Sequence, residues 1–253
     1  VVRSFDGEVV PLVYWLPDSQ RFDEPVRRPV LLMLPSAPGS QRRPGHLGSH
    51  SYLLEKLGMA IVCPNLRGAG GYGNRRRQLD NGQLRLHTLA DLNAVLNWIR
   101  QQPQLDGERV ALWGEGYGGS ISLLAMAKFN SFIRCSVLVD PVTNWVEYIS
   151  GAPAGEKERL REEYGDERDE KLRAFLDRFS PLDAAGNNLE SIPVTTPVLL
   201  LGRACRLGKV MHDKKKSVYL LKTKNLPQNY EEKYRFLTAA GFLRKHLSTL
   251  PSR

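Results

Sequence analysis

A chain of 253 residues with 42% apolar and 25% charged side chains can bury a core without disulfides, which excludes a disordered, collagen-like or low-complexity protein. Lys and Arg outnumber Asp and Glu by 36 to 27, and the formal charge of +9 favours acidic partners without choosing among nucleic acid, an anionic membrane and an acidic protein. The strongest apolar runs, Val30 to Leu34 and Val198 to Leu201, are strand-sized, and none reaches the roughly 18 residues that span a bilayer.

Val9 to Leu16, interrupted by Pro11, reads as an edge strand, and Pro29 to Leu34 as a buried one. A helix over about His50 to Leu57 leads into a strand at Met59 to Cys63, closed by Pro64. Leu89, Leu92, Leu96 and Ile99 recur at helical spacing within Thr88 to Arg100. Arg109 to Trp113 is strand again, Tyr117 to Phe129 helix and Cys135 to Val139 strand. Gly155 to Lys171, dense in both charges, reads as a solvated helical surface with i,i+4 pairing, in an excursion over the C-terminal edge of the sheet.

Pro197 to Leu201 and the shorter Val218 to Leu221 look like buried strands, and Glu231 to Leu247 like a closing helix. Between those strands lie Arg206 to Ser217, close to the minimum of roughly 10 to 12 residues for a parallel crossover, so the crossing is a stub helix or a loop. Strand and helix alternate throughout. That rhythm predicts an α/β fold, a mostly parallel, doubly wound sheet with helices on both faces.

Cys63, Cys135 and Cys205 are an odd number, each in or beside an apolar stretch, which favours free thiols in a reducing compartment, the cytoplasm or an organelle such as the mitochondrion. Because the chain opens at Val1, a targeting peptide or a further domain upstream is expected.

The most informative stretch runs from Val110 to Gly119. A buried strand ends at Trp113, glycines crowd a sharp turn, and a helix begins at Tyr117 with the small residues Gly118, Gly119 and Ser120 facing the sheet. That is the layout of a nucleophile elbow. Here the chain resembles the prolyl oligopeptidase (S9) type of α/β-hydrolase, a family of serine peptidases that includes dipeptidyl and acylaminoacyl peptidases. Further matches are Ser4-Phe5-Asp6-Gly7, Pro38-Gly39-Ser40-Gln41, Pro64-Asn65 with Arg67-Gly68 and Gly71-Tyr72-Gly73, Pro141 to Trp145, Glu163 to Asp166, Phe179 to Leu182 and Phe242 to Leu247. They cover nearly the whole chain in order, and the resemblance implies a single α/β-hydrolase domain over residues 1–253.

It also implies a catalytic triad that this sequence does not supply. The family's nucleophile falls on Gly116, which has no atom to acylate; the acid falls on Cys205, and the histidine on Pro227. The oxyanion loop, which in the family carries a Tyr or His donor, has Pro35 here, leaving the backbone amide of Tyr117 as the residual donor. Ser120, one helical turn on, is expected in the strand–helix interface, and Glu115 lacks a visible partner. Cys205 lies beside Arg203 and Arg206, which favour a thiolate, but no histidine is placed as its base. His212 and His246 read as surface or core residues.

No cofactor or metal is expected. His46 and His50, the one close histidine pair, read as a helix-entry and surface feature, and Gly68 to Gly73 lacks the Gly-Lys-Ser/Thr ending of a phosphate loop. Eight basic residues, Arg203, Arg206, Lys209, Lys214, Lys215, Lys216, Lys222 and Lys224, face Asp213 alone in their stretch, and Arg42-Arg43 and Arg75 to Arg77 reach the same sheet edge by family topology. They form a candidate anion-binding surface, for an acidic protein neighbour or for RNA in a larger assembly. The resulting reading is a catalytically inactive hydrolase domain kept as a structural or interaction module. An active S9 serine peptidase or esterase, and a small-ligand binding module, are the alternatives.

Overall fold

The computed structural model describes all residues except 1, 19–26, 183–188, 191, 194, 223–227 and 248–253, with the backbone alone at 228 and 229. Strands β1 (Val2–Arg3) and β2 (Val9–Val10) form a short antiparallel ribbon. The main sheet contains β3 (Leu12–Trp15), β4 (Arg28–Met33), β5 (Ala60–Pro64), β6 (Leu105–Glu115), β7 (Cys135–Val139), β8 (Val198–Leu201) and β9 (Val218–Leu221). Their spatial order is β3-β5-β4-β6-β7-β8-β9. Only β3 runs antiparallel, as the edge partner of β5, and the remaining pairs are parallel. The expected α/β fold is thus present.

Alternate side chains along the central strands enter two cores. Val30 and Leu32 of β4, with Ala60 and Val62 of β5, pack beneath α3 (Leu86–Gln101) and α4 (Tyr117–Lys128). Leu31, Ile61 and Cys63 face the other way, toward α1 (Ser51–Leu57) and α9 (Gln228–Leu247). Two shorter helices are α2 (Asn74–Arg77) and α5 (Trp145–Ser150). Both faces being covered, the strands need no polar alternation. Leu89, Leu92, Leu96 and Ile99 form the buried stripe of α3 that their spacing predicts. Cys63, Cys135 and Cys205 are free thiols.

Three local expectations are corrected. The Gly155 to Lys171 stretch spans α6 (Ala154–Tyr164) and the start of α7 (Glu170–Phe179), but its ion pairs are not i,i+4: Arg161 binds Glu158 at i,i+3 and reaches past the helix end to a buried Glu167. Val218 to Leu221 is not a buried strand, because β9 ends the sheet and leaves Tyr219 and Leu220 exposed. The crossover to it is the helix of the two expected alternatives, α8 (Cys205–Asp213). Strand β6 also begins earlier than the apolar run indicates, pairing from Leu105 with Arg28 across a register irregularity at Pro29/Val30. The loops after β4 through β8 therefore gather at one edge.

Candidate functional site

At that edge β6 ends on Glu115, Gly116 takes φ 51° and ψ −112°, and α4 starts at once. A helix this close to its own strand needs glycines. A Cβ on Gly114 would stand 2.3 Å from the Gly118 carbonyl oxygen, and one on Gly118 would stand 2.6 Å from that of Pro35. Gly116 donates its N–H to the Val139 carbonyl at 3.0 Å and accepts from the Val142 amide at 3.1 Å, which ties the elbow to the end of β7.

The Tyr117 amide, expected as a residual donor, is engaged: it donates to the Ser36 carbonyl at 3.3 Å. Ser36 belongs to the loop leaving β4, beside Pro35. The same carbonyl oxygen lies 3.3 Å from where a Cβ on Gly116 would be. A single backbone group from the β4 loop thus occupies the donor and crowds the elbow.

The Tyr117 ring packs among aromatics, its centroid 6.1 Å from that of Trp145 and 6.4 Å from that of Tyr164. The Arg85 guanidinium lies over the Tyr117 and Tyr164 rings at 5.3 and 4.5 Å. It pairs with Asp80 at 3.0 Å and Glu163 at 2.8 Å. Burial pushes the Asp80 carboxyl up to about 7 and the Tyr117 phenol up to about 12. An internal cation and its carboxylates therefore fill the space behind the elbow.

Cys205 is exposed at the first turn of α8. A carboxylate bound to that loop is Asp140, held at φ 41° after β7, which accepts from the Arg203 amide at 2.5 Å and lies against Gly202, where a Cβ would meet it at 2.5 Å. Sequence reasoning passed over Asp140; its place directly after a buried strand was the available signal. Pro227 lies outside the described residues. Ser120 is buried in the strand–helix interface, its hydroxyl unpaired. His212 is exposed on α8, while His246 packs on Phe242 at 4.6 Å between centroids.

The basic surface is less open than its sequence density predicts. Arg206 pairs with Glu147 at 2.7 Å and Lys214 with Glu190 at 2.8 Å, while Lys216 donates to the carbonyls of Glu190 and Ile192. Arg76 is buried and donates to the carbonyls of Val9 and Asn65. Arg75 binds Glu8. Arg203, Lys209, Lys215 and Lys222 are exposed, and Lys224 lies outside the described residues.

Arg67, after β5, anchors the N-terminal ribbon to the fold. Its side chain, 1% exposed, binds the equally buried Asp91 at 2.6 Å and reaches Asp6 at 3.1 Å. On the β4–β5 side of the elbow a cavity of about 340 Å³ opens among Ser36, Arg42, His50, Cys63, Trp113 and Glu115. His50 is no surface residue: its ring meets Trp113 edge-on at 4.8 Å, because α1 packs that corner onto the sheet, whereas His46 stays exposed. Among the described residues no three His, Cys, Asp or Glu side chains gather as a metal site would require, and no helix is long and apolar enough to cross a membrane.

Residues 46–202 match the model of the prolyl oligopeptidase family. Prolyl endopeptidase FAP of Homo sapiens is 27% identical over 151 residues, 59% of this chain and 20% of that protein. A probable dipeptidyl-aminopeptidase B of Grosmannia clavigera is 33% identical over 132 residues, 51% of this chain and 14% of that protein. The chain thus spans about a fifth or less of these relatives' lengths. Among solved structures, a puromycin-hydrolyzing peptidase of Mycobacterium tuberculosis superimposes with a TM-score of 0.85 at 18% identity, over 100% of this chain and 40% of that one. An acylaminoacyl peptidase of Pyrococcus horikoshii gives 0.83 at 19%, over 100% and 42%.

Proposed function

The chain belongs to the prolyl oligopeptidase family, and from that premise we propose that its hydrolase domain, taken as one unit over residues 1–253, has lost acyl transfer and serves as a structural or interaction module. Gly116 at the elbow carries this reading: the backbone holds the strained φ 51° that presents a nucleophile, and no side chain is there to be presented. The Tyr117 amide is bound to Ser36, and a thiol and a proline fall on the acid and base positions. Without a nucleophile, positioned donors alone leave binding and a residue of electrostatic stabilisation.

A serine-directed fluorophosphonate tests the reading. The native protein is expected to remain unlabelled under conditions that label an active serine hydrolase fully, and stoichiometric labelling of any serine would overturn it.

As partner we propose an acidic protein surface within a larger assembly in a reducing compartment, facing Arg203, Lys209, Lys215 and Lys222. The salt-bridged or anchored Arg206, Lys214 and Lys216 leave too few free cations in one place to favour RNA, and among the described residues of the stretch Tyr219 is the one exposed aromatic, short of a stacking set. Salt-titrated RNA binding decides between these partners, with no measurable affinity expected at low salt.

A further inference from the structure

Three buried or half-buried arginines in this fold are matched to carboxylates, Arg67 to Asp91, Arg85 to Asp80 and Arg161 to Glu167, and buried Arg76 spends its guanidinium on the Val9 and Asn65 carbonyls. Arg42 is the exception beside the elbow. It is half-buried, with its backbone clamped on both sides by the Asn65 side chain at 2.6 and 2.9 Å, and its guanidinium lies over the Trp15 ring at 5.5 Å. Among the described residues it has no carboxylate within ion-pair distance. A guanidinium partly removed from water and left without a counter-charge is costly, and it borders an open cavity of about 340 Å³.

Two other walls of that cavity define what fits. His50 has its Nε2 buried and without a partner. Burial and the nearby Arg42 charge hold the ring below the usual imidazole range. A neutral imidazole carries one N–H and one lone pair, so the unpartnered Nε2 can accept an O–H or N–H from an occupant. Met33, Leu34 and Trp113 supply apolar surface, and burial raises the Cys63 thiol to about 11, so it presents an uncharged S–H. Glu115, exposed and in the same wall, disfavours a second negative charge on the occupant.

We propose that this cavity binds a small monocarboxylate bearing a hydroxyl or amino group, with the carboxylate on the Arg42 guanidinium, the O–H or N–H donated to His50 Nε2, and the apolar body against Met33 and Trp113. The assignment does not rest on the loss of catalysis. It needs only the unpaired cation, the unsatisfied imidazole nitrogen and the volume between them.

Titration of the full chain with 3-phenyllactate tests it, read by intrinsic tryptophan fluorescence, to which Trp113 contributes, and by calorimetry. Saturable binding is expected, weakened about tenfold or more when the carboxylate is replaced by the amide (3-phenyllactamide) or when Arg42→Met removes the charge, as befits a charge-assisted hydrogen bond. Arg42→Lys is expected to recover part of the loss, and His50→Phe to abolish the preference for phenyllactate over 3-phenylpropionate. Equal binding of acid and amide to the native protein, no saturation by about 10 mM, or tighter binding of inorganic phosphate than of phenyllactate would each overturn the proposal. The amide comparison needs no variant, so it stands even where Arg42→Met fails to fold. An unchanged preference in His50→Phe would remove the histidine from the site.

Discussion

The Tyr117 amide donates to the Ser36 carbonyl at 3.3 Å, so the first turn of α4 and the loop after β4 close on each other at the elbow. In an acyl-transfer enzyme that amide must be free and aimed at a developing oxyanion. Here the backbone has already satisfied it.

Restoring a hydroxyl at the elbow is therefore expected to fail twice. Gly116→Ser puts an L side chain at φ 51°, with its Cβ 3.3 Å from the Ser36 oxygen, and should cost about 1–3 kcal/mol in urea unfolding. It should also remain unlabelled by fluorophosphonate if, as proposed, the acid and base of the triad are lost as well. Rapid labelling of this variant would mean that a base exists in the fold.

Arg67 and Asp91, each 1% exposed, make the most fully buried ion pair at the N-terminal ribbon. Arg67→Met leaves Asp91 uncompensated and should cost about 3–5 kcal/mol, whereas Arg67→Met with Asp91→Asn should cost clearly less than the two single losses added together. Strict additivity in the double-mutant cycle would show that the pair is not coupled.

Asp80 links stability to pH. Burial disfavours the carboxylate, and Glu163 shares the same arginine, so the folded-state pKa of Asp80 is pushed up to about 7 from the 3.8 of an ordinary aspartate. A raised folded pKa favours folding at low pH, and that contribution is lost as pH rises through 7. The stability of the native protein relative to Asp80→Asn should thus fall between pH 5 and pH 8, measured by urea titration at both values. A difference that grows with pH would show that the ion pair with Arg85 outweighs burial.

Gly114→Ala tests the packing beneath the elbow. Its Cβ would meet the Gly118 backbone at 2.3 Å, where nothing flexible can yield, and a cost of about 3 kcal/mol or more is expected in thermal or urea unfolding. A near-neutral result would mean that α4 can lift from β6 without penalty.

What the sequence made legible were features written in local periodicity and local crowding. The stripe of α3, the apolar central strands and the glycine-packed turn from Gly114 to Gly119 can all be read from adjacent residues. The two-residue strands β1 and β2 are too short to show a period, and the exposure of Tyr219 follows from the place of β9 at the end of the sheet, which an apolar run does not encode. At the site, the glycine at position 116 of the elbow is a matter of residue identity. The hydrogen bond from Tyr117 to Ser36 joins backbone groups of distant segments, so no side chain announced it. Likewise Arg206, Lys214 and Lys216 counted as free charge in the sequence because Glu147 and Glu190 lie far off along the chain.

The strand order carries a consequence for how the chain assembles. Strand β4 sits between β5 and β6, and its pairing with β6 joins Arg28 to Leu105 and Met33 to Trp113. A nascent chain can complete β3, β4 and β5 early, but one edge of β4 has no partner until the residues through Trp113 have been made. During that interval a strand with the buried run Val30 to Leu32 offers an open backbone ladder, so slow elongation there exposes a growing edge to other chains or to a chaperone.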